Sequence, residues 1–218
     1  MKYISMPGTG LTVSKVALGG SDLGSRIDRE ASFALLDAFV EGGGNCIDTA
    51  LVYADWIPGT KSLSEKTIGA WLKERGNREQ IVLMTKGGHP YLSSMDIPRL
   101  SRAEILSDLN ESLQHLGVET IDLYWLHRDD PARPVGDIVE TMNELVRSGK
   151  IRYFGCSNWS TERIREAARY AEKHQLAGFA ASQLMWNLAV VNRETVDPRH
   201  MAIMSPQDWE YYRAADMT

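Results

Sequence analysis

Four side chains in this sequence could together move a proton: the carboxylate of Asp48, the phenol of Tyr53, the ammonium of Lys86 and the imidazole of His127. They are distant in sequence, yet each stands at the end of a short apolar run or just beyond it. Asp48 lies near the end of Asn45–Ala50, with Tyr53 five residues further on; Lys86 ends Ile81–Lys86 and His127 ends Ile121–His127. An ammonium beside a phenol eases loss of the phenolic proton. Asp48 would pair with that ammonium and limit the cost of burying it, and His127 would donate a hydrogen bond to a substrate oxygen. Such a group suits protonation of a carbonyl oxygen while another reagent attacks the carbon. Singly, each residue has an ordinary explanation: a turn aspartate, a packing tyrosine, a satisfied core histidine. Their shared position at strand ends is what favours chemistry.

The elements that must position them follow from two alternating periods of hydrophobicity. Lys15–Gly20, Asn45–Ala50, Ile81–Lys86, Ile121–His127, Ile151–Asn158 and Ala181–Asn187 are short runs. Several are apolar on both faces, as buried parallel strands are. The stretches between read as helices. Asp28 caps Arg29–Glu41, which Gly42 to Gly44 stop; a Ser101/Glu104 capping box opens a helix to Leu116, closed by Gly117. Asp137–Arg147, Thr161–His174 behind Ser160, and a last helix from Ser205-Pro206 complete the set. Residues 2–14 read as a small β-hairpin outside the main sheet. The expected class is therefore α/β, with about six right-handed βα units. An open doubly wound sheet and an incomplete eight-stranded barrel both accept that count. Too few residues follow Asn187 for two more units, since one βαβ takes about 30 or more. In either architecture the reacting groups gather at the C-terminal ends of strands.

Composition narrows the function classes. The 218 residues carry a formal charge of −5, are 43% hydrophobic and 24% charged, and so suit a single domain with an ordinary core. Mild acidity without a basic cluster argues against nucleic acid. No window approaches a membrane span, and the N-terminus lacks an apolar signal core, so a cytoplasmic protein is expected. Cys46 and Cys156 lie in apolar runs and read as buried free thiols. His89, His115, His174 and His200 show no metal-ligand spacing, so surface roles and no metal are expected. Glu65 reads as a helix-start carboxylate, Arg128-Asp129-Asp130 as a solvated loop, and Trp125 and Trp186 as packing residues. No G-x-G-x-x-G follows a strand.

In order along the chain stand Asp48-Thr49-Ala50 with Tyr53, Ser64-Glu65 with Ile68-Gly69, Thr85-Lys86, and Ile121-Asp122-Leu123-Tyr124 with Leu126-His127. Gly149-Lys150-Ile151-Arg152 with Gly155, Ser157-Asn158, and Gln183 with Asn187 follow. On these motifs the chain resembles the aldo-keto reductases. The resemblance implies a (β/α)8 TIM-type barrel that reduces aldehydes or ketones to alcohols with NADPH, or NADH. It implies Tyr53 as general acid, Asp48 and Lys86 as its tuning pair, and His127 as the group that orients the carbonyl. Ser157, Asn158 and Gln183 match positions that hold the nicotinamide carboxamide, with Asp48 beside them; Gly20 and Ser21 match a loop along the cofactor. The family's barrel continues past residue 218 with strands seven and eight, so residues 1–218 are expected to form one domain, C-terminally incomplete. A small carbonyl substrate is the implied partner, and unpaired strand edges would favour an oligomer. Trp56, Ile57 and Pro58 could wall the substrate. The alternative is a redox-sensing or regulatory protein that binds the cofactor with little turnover. A metal-dependent barrel hydrolase fits poorly, because Lys86 would occupy a ligand's place.

Overall fold

The computed structural model describes residues 1–189, 191–197, 201–215 and 217. Strands β1 (Tyr3–Ser5) and β2 (Thr12–Ser14) form an antiparallel hairpin. The main sheet holds β3 (Leu18–Gly19), β4 (Cys46–Asp48), β5 (Val82–Gly87), β6 (Ile121–Leu126), β7 (Ile151–Ser157) and β8 (Ser182–Gln183), all parallel and in chain order. Between and after them run α1 (Arg29–Glu41), α2 (Leu63–Arg75), α3 (Arg102–Leu116), α4 (Val135–Arg147), α5 (Thr161–His174) and α6 (Pro206–Ala214).

Local chemistry accounts for the helix starts. Asp28 accepts from the Ala31 amide, Ser160 from Arg163, and Ser101 with Glu104 and Ser205 with Asp208 form reciprocal capping boxes. Helix α2 starts differently. Ser62 adopts a left-handed conformation, and its hydroxyl donates to the Leu51 carbonyl instead of capping the helix. The edge strands are shorter than the apolar runs that contain them. Lys15–Gly20 yields only Leu18–Gly19, and Ala181–Asn187 only Ser182–Gln183, because each has a neighbour on one side alone.

The sheet is curled into a half-barrel. In a flat sheet β4 and β8, four places apart, would be separated by about 19 Å. Instead Gln183 Nε2 donates to Asp48 Oδ2 across 3.4 Å. Pleating then divides the strand residues between two faces. Ile47, Leu83, Tyr124, Leu126, Phe154 and Cys156 face outward into the larger core, built with the helices. Cys46, Val82, Met84, Leu123 and Trp125 face inward and pack with Met6, Leu11 and Val13, so the hairpin region seals the floor. Gly155 makes this possible: a Cβ there would lie 2.6 Å from the Trp125 ring. Both thiols are free and buried, and burial pushes that of Cys46 up to about 12. Among the described residues no helix is long and apolar enough to cross a membrane.

Candidate active site

One pleat period above the sealed floor, the same inward face turns polar. Asp48 is two residues past Cys46, Lys86 two past Met84, His127 two past Trp125, Ser157 two past Gly155 and Gln183 two past Ala181. The rim is thus made by strand register, not by any single loop.

Lys86 is its centre. The side chain is 1% exposed, and its ammonium donates to Asp48 Oδ2 at 2.6 Å, to the Thr49 carbonyl at 2.8 Å and to the Tyr53 hydroxyl at 3.2 Å. Three donors meet three acceptors, which is what permits a buried ammonium. Tyr53 is brought over the rim by tight turns, in which the Tyr53 amide bonds the Ala50 carbonyl and the Leu51 amide the Lys86 carbonyl. The His127 amide bonds the Gly87 carbonyl, and its ring lies 6.0 Å from that of Tyr53, nearly edge-on. Burial, followed by the charge of Lys86 and the neighbouring His89 and Arg128, holds His127 well below the usual imidazole range, so it is neutral. Buried polar atoms here that lack partners among the described residues include Asp48 Oδ1 and His127 Nδ1. Buried atoms left unpaired at an open rim mark where a ligand's polar groups would complete the network.

The structure brings Asp48, Tyr53, Lys86 and His127 together, with Ser157 and Gln183 on the same face. The other candidates are placed differently. Asn158 adopts φ 62°; its Nδ2 donates to the His127 carbonyl and Ser157 Oγ, and its Oδ1 accepts from the Ala202 amide. Its amide therefore braces three segments. Gly20 is buried behind β4, donating to the Asp48 carbonyl and accepting from Ser64 Oγ. Ser21 is exposed. Of the suggested wall, Trp56 is 46% exposed with its ring 6.2 Å from Tyr53, Ile57 is half-buried and Pro58 is exposed.

Several expectations need correction. Glu65 stands in the first turn of α2, as expected, but it is also wholly buried, accepting from Thr85 Oγ1 at 2.6 Å and lying 3.1 Å from His115 Nδ1. It ties α2 and α3 to the outward face of β5, behind Lys86. His115 and His89 are accordingly not surface histidines. His89 is buried with its ring 4.8 Å from that of His127. Its loop is pinned by Arg99, which bonds the His89 carbonyl and pairs with Asp108 at 2.7 Å. His174 stacks on Tyr170, and His200 lies outside the described residues. Trp186 is 60% exposed, unlike Trp125. The Arg128-Asp129-Asp130 segment is not solvated. Asp129 lies 3.4 Å from Arg163, and its burial raises its carboxyl to about 6; Asp130 lies 3.5 Å from Arg133. A cavity of about 120 Å³ lies behind Lys86, lined by His89, Arg99, Asp108, Asp55 and Glu111. No local pattern announces these residues, since their partners come from other elements.

Comparison with known proteins agrees with this geometry. The model of the aldo/keto reductase family matches residues 15–204. An NADP(+) aryl-alcohol dehydrogenase of Phanerodontia chrysosporium is 33% identical over 205 residues, 86% of this chain and 52% of that protein. The aldo-keto reductase YhdN of Bacillus subtilis is 32% identical, covering 81% of this chain and 53% of its own. Norsolorinic acid reductase B of Dothistroma septosporum is 30% identical, covering 84% and 49%. The chain spans about half the length of these curated relatives. It belongs to the aldo/keto reductase family.

Proposed function

We propose that this aldo/keto reductase converts a small aldehyde or ketone into its alcohol, with Tyr53 giving the proton to the carbonyl oxygen. The observation that carries this reading is the triple contact of the Lys86 ammonium with Asp48, Thr49 and Tyr53. Once Tyr53 has released its proton, the phenolate stands 3.2 Å from a fixed positive charge, which stabilises it at the moment it forms. Asp48 holds that charge in place. His127, neutral by burial, can donate an N–H to the carbonyl oxygen without competing as an acid.

A nicotinamide cofactor, when bound, supplies the hydride. The rim suits its carboxamide, which needs both an acceptor and a donor. Asp48 Oδ1 is a buried acceptor with no partner among the described residues. The Ser157 hydroxyl accepts from Asn158 and keeps its own proton to donate, and Gln183 offers an amide. Asn158 acts one step back by holding Ser157 and the His127 carbonyl. Gly20 serves by packing against β4, while Ser21 is open to a longer ligand. The printed name of the relative that uses NADP(+) supports NADPH as the donor, and aryl-alcohol chemistry suits the ring of Trp56 beside Tyr53. No feature of the site favours a sensor with little turnover, because the proton-transfer set is complete.

The test is NADPH oxidation with 4-nitrobenzaldehyde, followed by absorbance. Tyr53→Phe is expected to lower kcat by about a hundredfold or more, the scale of a positioned acid. Undiminished turnover in that variant would remove Tyr53 from the role.

A further inference from the structure

Arg128 follows His127 directly and differs from every comparably covered arginine around it. Arg99 pairs with Asp108, Arg163 with Asp129, Arg78 with Asp122 and Arg133 with Asp130. Arg128 is half-buried, its Nε is buried without a partner, and among the described residues no carboxylate pairs with it. Among the described residues its side chain makes one hydrogen bond, from a terminal nitrogen to the His127 carbonyl at 2.8 Å. The two carboxylates next to it in sequence are turned away towards Arg163 and Arg133. A guanidinium taken partly out of water without a counter-charge is costly. Here the cost falls beside the rim, because the hydrogen bond to the His127 carbonyl holds the guanidinium against that residue.

We infer that Arg128 binds a carboxylate carried by the substrate, so that the preferred substrate is an anionic aldehyde or ketone. This rests on the carbonyl reduction proposed above. A planar guanidinium matches a carboxylate through two parallel N–H donors, and desolvation strengthens that pairing. The cofactor's phosphates are the other source of negative charge. They fit less well, because the groups suited to the carboxamide come from β4, β7 and β8. Arg128 instead is hydrogen-bonded to the backbone of His127, whose ring faces the carbonyl oxygen in this reading.

The experiment compares 4-carboxybenzaldehyde with its methyl ester, which keeps the ring and aldehyde and removes the charge. The purified protein should show a higher kcat/KM for the acid. In Arg128→Gln the acid-to-ester ratio should fall by about ten- to a hundredfold, the value of a hydrogen-bonded charge. Arg128→Lys, which keeps charge but loses the fork, should fall between. An unchanged ratio in Arg128→Gln overturns the inference. So does a weaker affinity for NADPH that slows both aldehydes equally, which would give the arginine to the cofactor. Quenching of tryptophan fluorescence by terephthalate provides a readout free of turnover. Binding that depends on Arg128 in a protein that reduces neither aldehyde would uphold the anion site and retire the reductase reading. Reduction of the ester with no preference for the acid would do the reverse.

Discussion

The floor and the rim of the half-barrel are built by the same strands on the same face, one pleat apart. At the floor stand Cys46, Met84, Leu123 and Trp125, closed over by Met6, Leu11 and Val13. At the rim stand Asp48, Lys86, His127 and Ser157. Backbone geometry does not distinguish the two levels; what covers them does. Where the hairpin region seals the sheet, the inward positions are filled by apolar side chains, although Trp125 Nε1 is buried there without a partner among the described residues. Where no such plug lies, a buried ammonium meets three acceptors while Asp48 Oδ1 and His127 Nδ1 are left unpaired. Apolar packing dominates one end of a short interior and a charged, hydrogen-bonding group the other.

The largest expected effect that separates the levels comes from Lys86→Met. It leaves the Asp48 carboxylate without its counter-charge and Tyr53 without its ammonium. Turnover should fall about a thousandfold, within the range of a lost proton-transfer group. Unfolding in urea should also show a loss of about 3 kcal/mol, the lower end for one partner of a buried pair. A variant that kept its turnover would show that the rim is only structural. Next is Leu123→Ala at the floor, which should cost about 3 kcal/mol as a cavity in a closed apolar layer. The pH profile of turnover should not move. If it did, floor and rim would be coupled and the division would fail. The smallest effect separates them by titration. His127 has a depressed pKa in the fold, so stability is full above about pH 6.5 and is lost as pH falls below that value. The expected slope is up to about 1.4 kcal/mol per pH unit. His127→Asn should flatten it, whereas Leu123→Ala should leave it in place.

Much of this was legible wherever the signal was local. Helices α1, α3 and α5 begin where their caps say, because one side chain satisfies one orphan amide within three residues, and α1 and α3 end at their glycines. The four rim residues were legible because strand ends recur in chain order. Helix α2 hid its start, since Ser62 spends its hydroxyl on the Leu51 carbonyl. The covered settings of Glu65, His89, His115 and the Arg128-Asp129-Asp130 segment are not legible in the sequence for one reason. Their surroundings come from distant elements: Thr85 reaches Glu65 from β5, and Arg163 of α5 reaches Asp129. Charged residues are most often solvated, and only tertiary contact reverses that default.

Spatial order in the main sheet equals chain order from β3 to β8. Every strand of that sheet after β3 therefore docks on an edge laid down just before it, whereas the N-terminal hairpin region finds its floor partners only once the later strands are in place. Such a sheet can grow in step with its emergence from the ribosome. Nearest-neighbour closure keeps the entropic barrier of each addition small, and the nascent assembly exposes only one advancing edge at a time.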